Sequence, residues 1–161
     1  ISYHVPELSY DPRNAIRVLE ETIEACLPES VSLVGSSMGG FYGVWAAEKY
    51  GVPLVLVNPA VRPYELLVDY LGENENIYTG EKYTFTLDEI DTLKALDVKS
   101  LSQPERYYLL TQTGDEVLDY RQGVEKFQGC KQKVIQGGSH GFDQFENEIP
   151  SIMSFFGLIK K

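Results

Sequence analysis

The sequence predicts an α/β fold with a mainly parallel sheet flanked by helices, and three observations predict it. Short apolar runs of β character alternate with amphipathic helical stretches along the 161-residue chain, which implies right-handed crossovers between parallel strands. The runs are nearly unbroken in apolar character, as strands covered on both faces require. Three residues able to do chemistry, Ser37, Asp115 and His140, stand just beyond the carboxyl ends of three such runs. Parallel sheets gather their functional groups there.

Ile1-Ser2-Tyr3-His4-Val5 opens the chain without a methionine and reads as a strand in progress, so an upstream segment is expected beyond this sequence. Asp11-Pro12 is a helix start, with aspartate as the cap and proline at the first helical position. Behind it Ile16, Leu19, Ile23 and Cys26 recur at helical spacing, predicting an amphipathic helix that lies on a sheet and ends near Pro28. Residues 31–34 read as a central strand. A helix over 41–50, closed by Gly51, and a second buried strand over 53–57, ending at Asn58-Pro59, follow.

Between about residues 60 and 104 the pattern becomes helical and turn-rich. Residues 64–71 read as a helix ending at Gly72, and Thr86-Leu87-Asp88-Glu89 resembles a capping box for a helix carrying Leu87, Ile90, Leu93 and Leu96. Gly72 to Asn76 and Thr79-Gly80 read as turns. An insertion of this kind between two sheet strands is most simply a lid, giving one domain over 1–161 with a lid insertion at approximately 60–104. Tyr64, Tyr70, Tyr78, Tyr83 and Phe85 are either its small core or an acyl-binding wall. Its acidic residues Glu73, Glu75, Asp88, Glu89 and Asp91 read as solvated surface. Strand character returns at 106–111, followed by Gly114-Asp115, a helix over about 120–127, a strand over 133–135 running into Gly137-Gly138-Ser139-His140, and an apolar C-terminal helix holding Phe145, Ile149, Ile152, Phe155 and Phe156.

A hydrophobic content of 43% in a chain of this length is enough for a sizeable core. A net charge of -10 and a pI near 4.6 argue against a nucleic acid or an acidic membrane surface as partner. No apolar run approaches the roughly 20 residues that span a bilayer, so no membrane insertion is expected. Cys26 and Cys130 lie far apart without metal-ligand spacing; they read as thiols of a reducing compartment, and the expected location is cytoplasmic. No metal or cofactor is expected, and nothing in the pattern sets an oligomeric state.

Gly35-Ser36-Ser37-Met38-Gly39 carries Gly-x-Ser-x-Gly between a strand and a helix, the arrangement of a nucleophile elbow. Side chains at positions 35 and 39 are expected to collide across so tight a turn, and the Met38 amide, at the helix N-terminus, is free to donate to an oxyanion. The competing reading is a glycine-rich turn with an incidental serine. The later residues decide between them. Serine needs a base, and only His4 and His140 exist; His140 follows the last strand. A carboxylate must hold the imidazole's other nitrogen, and Asp115 follows its strand through a single glycine, whereas Asp119 reads as a helix cap; Glu116 and Asp143 are also near in sequence. The order Ser, Asp, His is that of the α/β-hydrolase fold. Asn58, Arg62 and Tyr64 stand where the strand over 53–57 gives way to the lid, as substrate-binding or lid-anchoring residues.

Val34-Gly-Ser-Ser-Met-Gly-Gly-Phe-Tyr42, Val57-Asn-Pro-Ala-Val-Arg-Pro63, Asp69-Tyr-Leu-Gly-Glu-Asn-Glu-Asn76, Thr113-Gly-Asp-Glu-Val-Leu-Asp-Tyr-Arg-Gln122 and Gly137-Gly-Ser-His-Gly-Phe142 together resemble the YqiA-like family of small bacterial α/β-hydrolase esterases. The resemblance implies a compact, cofactor-free cytoplasmic hydrolase of carboxylic esters or acyl thioesters, with Ser37, Asp115 and His140 matching the family triad. It also implies a leading strand and a His-Gly-Phe-type loop supplying a second oxyanion donor, a pattern not found at the front of this sequence. A serine peptidase or amidase on the same triad, and a catalytically silent binding module, are the alternatives.

Overall fold

The computed structural model describes residues 1–27, 29–77 and 79–159. In chain order the elements are α1 (Pro12–Cys26), β1 (Leu33–Ser37), α2 (Met38–Tyr50), β2 (Leu54–Pro59), α3 (Pro63–Leu66), β3 (Gly72–Glu75), β4 (Lys82–Phe85), α4 (Leu87–Leu96), β5 (Tyr107–Gln112), α5 (Tyr120–Lys126), β6 (Lys131–Ile135) and α6 (Ile149–Phe155). The chain divides into two compact units, Val31–Val61 with Val98–Lys161, and Ile1–Ser30 with Arg62–Asp97.

The first of these carries a four-stranded sheet in the order β1-β2-β5-β6, every pair parallel. The period of two along β2 and β5 sorts their side chains to opposite faces. Leu54, Leu56, Tyr107 and Leu109 form one core with Val44 and Ala47 of α2 and with Phe127. Val55, Val57, Tyr108 and Leu110 form the other with Ile152 of α6 and Phe142. β2 and β5 are buried along their whole lengths, so they are the centre of the sheet. β1 is not: it is an edge strand of the four, and Val34 is 52% exposed. The apolar character of 31–34 predicted a central strand covered on both faces, but apolar character does not specify how many neighbours pair with a strand. β1 also continues through Ser37 rather than stopping at Val34.

In the other unit α1 packs on α4. Asp11 caps α1 by accepting from the Arg13 amide, and Pro12, Ala15, Leu19 and Ile23 are its buried positions. Thr86 and Glu89 make the expected capping box at the start of α4. Glu89 is buried, which corrects its reading as solvated surface; Glu73, Glu75, Asp88 and Asp91 are exposed. Gly72 to Glu75 is not a turn but a strand, paired antiparallel with β4 in the register Glu73 with Thr84 and Glu75 with Lys82. The polar composition of this segment hid its alternation. Residues 1–9 form no strand: among the described residues nothing pairs with them, and Ile1, Tyr3 and Val5 stay exposed. Tyr83 stacks on Tyr10 at 4.2 Å between ring centroids, and Phe85 is buried, whereas Tyr70 is exposed. α1 ends at Cys26, close to the expected end near Pro28, while Pro28 itself and the aromatic Tyr78 fall outside the described residues.

Candidate active site

The site is built at the carboxyl ends of β1, β5 and β6. Ser37 ends β1 and caps α2, with φ 52° and ψ -122°, a backbone state that costs a non-glycine residue about 1–3 kcal/mol. That geometry reverses the chain within one residue, so Met38 already begins the helix. Its N–H is among the four that a helix leaves without an intrahelical acceptor. Gly35 is required there, because a Cβ on it would sit 2.7 Å from the Gly39 carbonyl carbon and closer still to its oxygen. Gly39 itself corrects the expectation: a Cβ on it would meet nothing within 4 Å. The second close approach belongs to Gly40, whose Cβ would come within 2.7 Å of the Pro59 Cβ.

His140 stands between the other two residues. Its Nε2 lies 3.1 Å from Ser37 Oγ, and its Nδ1 lies 3.0 Å from both Asp115 carboxylate oxygens. The Asp115 side chain is 1% exposed and also accepts from the amides of Val117 and Leu118, at 2.9 Å each. It is thereby held by main chain on one side while it faces the imidazole on the other. Among the neighbouring acids, Asp119 caps α5 through the Arg121 amide, Glu116 accepts from the His140 backbone N–H at 2.9 Å, and Asp143 accepts from the Ser139 hydroxyl at 2.7 Å. Asp115 alone of the four meets the ring.

The loops bearing acid and base touch backbone to backbone. The Gly114 amide donates to the Gly137 carbonyl at 2.8 Å, and a Cβ on Gly114 would lie 2.8 Å from the Gly137 carbonyl carbon. Glycine at 114 lets the two loops approach this closely.

Asn58 turns its side chain toward the loop that carries His140. It is 1% exposed, and its amide is fully engaged: Nδ2 donates to the carbonyls of Ser139 and His140 at 3.0 Å each, while Oδ1 accepts from the Gln112 amide at 3.0 Å and the Thr111 hydroxyl at 3.3 Å. The β1–β2 register slips by one residue at this point, from Ser36 opposite Val57 to Ser37 opposite Pro59. Asn58 is the extra residue, a bulge that turns its side chain out of the ladder. Sequence reasoning missed Gln112 altogether. Its buried Oε1 accepts from the amides of Ser139 (3.1 Å) and Asp143 (2.8 Å), and its Nε2 donates to the Asp143 carbonyl at 2.9 Å. A glutamine closing a strand that is apolar from 107 to 110 was the available signal. Arg62 and Tyr64 belong to the other unit, where Arg62 faces Glu65 at 3.5 Å and the Tyr64 hydroxyl donates to Asp97 at 2.8 Å.

Among the described residues, no three His, Cys, Asp or Glu side chains stand together as a metal ligand set, and no helix is long and apolar enough to cross a membrane.

The family model described as "Uncharacterised protein family (UPF0227)" matches residues 1–157. The chain belongs to this YqiA-like family. Among solved structures, a putative hydrolase from Agrobacterium vitis S4 is similar at a TM-score of 0.68 and 19% identity, over 89% of this chain and 68% of that one. Est1E from Butyrivibrio proteoclasticus is similar at a TM-score of 0.68 and 15% identity, over 91% and 69%. A monoacylglycerol lipase from Paleococcus ferrophilus is similar at a TM-score of 0.61 and 14% identity, over 89% and 74%. At such identities the likeness is one of fold, and the fold of this member of the family is that of the α/β-hydrolases.

Proposed function

We propose that this chain is a serine hydrolase that cleaves carboxylic esters or acyl thioesters through an acyl-enzyme on Ser37. The observation that carries the proposal is the placement of His140 within hydrogen-bond distance of both Ser37 Oγ and Asp115, because a serine hydroxyl is a weak nucleophile unless a base takes its proton.

In this reading Ser37 Oγ attacks the acyl carbon as its proton passes to His140 Nε2, and the carbonyl oxygen becomes an oxyanion held by the Met38 N–H. Asp115 keeps the Nδ1 proton in place and stabilises the imidazolium. Collapse of the intermediate breaks the bond to the alcohol or thiol, and His140 returns its proton to that leaving group. Water then attacks the acyl-Ser37 ester, giving up a proton to Nε2. A second collapse releases the carboxylic acid and restores Ser37.

The segment at approximately 60–104, lying in sequence between β2 and β5, is the lid insertion of a single domain in the same proposal. The fold, shared with Est1E and with a monoacylglycerol lipase, supports an ester substrate class. The test is Ser37→Ala against a panel of p-nitrophenyl esters and acyl thioesters. The proposal expects turnover to fall by about 10⁴-fold or more; turnover equal to that of the parent protein overturns it.

A further inference from the structure

Four non-glycine residues among those described hold a positive φ: Ser37 (52°), Asn58 (40°), Phe142 (62°) and Gln144 (59°). All four lie in the unit that contains the four-stranded sheet, at Ser37, at the bulge beside it, and within or just after the loop that carries His140. Left-handed backbone costs a non-glycine residue energy, and it persists only where surrounding contacts over-determine it. The loop from Ser139 to Asp143 has no ladder of its own, so its shape needs an external frame.

Beside the Glu116 carboxylate, which accepts from the His140 N–H, that frame is two buried side-chain amides. Asn58 donates to two carbonyls of the loop, at Ser139 and His140; Gln112 accepts from two amides, at Ser139 and Asp143, and donates to the Asp143 carbonyl. Asn58 and Gln112 are also joined, through the Gln112 amide on Asn58 Oδ1. Both side chains are buried, at 1% and 3% exposure, and no buried side-chain nitrogen or oxygen among the described residues is without a partner. The same residues belong to the frame of the other two groups. Asn58 is the bulge opposite the Ser36–Ser37 step, and Gln112 ends the strand that leads through Gly114 to Asp115. We propose that Asn58 and Gln112 are positioning residues for His140, fixing the imidazole at the height where it reaches Ser37 and Asp115 together. This rests on the serine hydrolase reading for its catalytic consequence, though not for its geometry.

The test uses Asn58→Asp and Gln112→Glu. Each replaces an NH₂ donor by an oxygen of the same size. Aspartate tolerates a left-handed φ about as well as asparagine, so the backbone demand at position 58 is unchanged. Asn58→Asp sets an oxygen against the carbonyls of Ser139 and His140, and the loop must move. Three quantities are read: kcat and KM on a p-nitrophenyl ester per folded site, the melting temperature, and the downfield proton resonance of the His140 Nδ1–H bonded to Asp115. Displacing a catalytic group by about 1 Å costs on the order of 100-fold. The expected result for Asn58→Asp is therefore a fall in kcat of about 10- to 100-fold with KM held within about threefold, and a shifted or lost resonance.

Unchanged kcat and an unchanged resonance in folded Asn58→Asp overturn the proposal. If Asn58→Asp does not fold, Gln112→Glu decides by the same readouts, through the bond to the Asp143 carbonyl; failure of both to fold overturns the proposal, because the amides are then required for the fold itself. A parent protein that turns over no ester would sink the hydrolase reading and leave the resonance to decide the positioning one.

Discussion

At the residue scale the two glycines flanking the serine separate. A Cβ at Gly35 meets the carbonyl of Gly39, which is backbone and cannot swing aside, whereas a Cβ at Gly39 meets nothing within 4 Å. Gly35→Ala is expected to lose about 1–3 kcal/mol, and Gly39→Ala to hold its stability or gain up to about 1 kcal/mol through reduced freedom of the unfolded chain. Urea unfolding of the two variants checks this; equal losses would contradict it. Asp115→Asn should keep the fold and lower kcat by about 10⁴-fold on the best ester substrate, because an amide cannot hold the Nδ1 proton as a carboxylate does. A loss confined to KM would show that Asp115 binds substrate instead. The juxtaposition of Ser37, Asp115 and His140 was legible in the sequence, since residue type and position at a strand end together single them out. Asn58 was visible but its bonds to the His140 loop were not, and Gln112 went unseen. Their partners are main-chain atoms far along the chain, 82 residues away for the Asn58 bond to His140, and a single sequence carries no trace of such a bond.

At the element scale the start of α4 shows local and tertiary chemistry acting on one side chain. Glu89 is buried, which pushes its carboxyl up. The hydrogen bonds it accepts from the Thr86 hydroxyl and amide, at 2.5 and 2.7 Å, and the charge of Arg13 outweigh that and hold it below the ordinary carboxylate value. A depressed folded value stabilises the native state above the unfolded pKa, and that contribution disappears as pH falls through the folded one. The melting temperature of the parent protein should therefore fall on acidification more steeply than that of Glu89→Gln, with the two curves converging in acid; parallel curves would contradict it. Thr86→Ala removes one half of the capping box and should cost about 1 kcal/mol in urea unfolding. The capping box was readable because its residues are three apart in sequence. β3 was not, because Gly-Glu-Asn-Glu gives no apolar alternation and its strand character arises only on pairing with β4. Position in the sheet was hidden in the same way: 31–34 and 53–57 have similar composition, yet among the four described strands β1 has one neighbour and β2 has two.

For the whole molecule, the alternation of strands and helices was enough to give the parallel sheet, and the order Ser, Asp, His was enough to give the fold family. Both are properties of the chain's sequence order, which a sequence displays directly. The net charge of -10 belongs to this scale too. It predicts no retention on a heparin column at about 0.1 M salt, where screening still leaves long-range repulsion from a polyanion; retention would reveal a basic patch that the composition conceals. The central claim, that Ser37 is a nucleophile activated by His140, is tested most directly by treating the folded protein with a fluorophosphonate and locating the adduct by peptide mass mapping. A single adduct on Ser37 is expected, formed far more slowly in His140→Ala and absent in Ser37→Ala. An adduct on another residue, or no adduct on a folded parent protein, would contradict it.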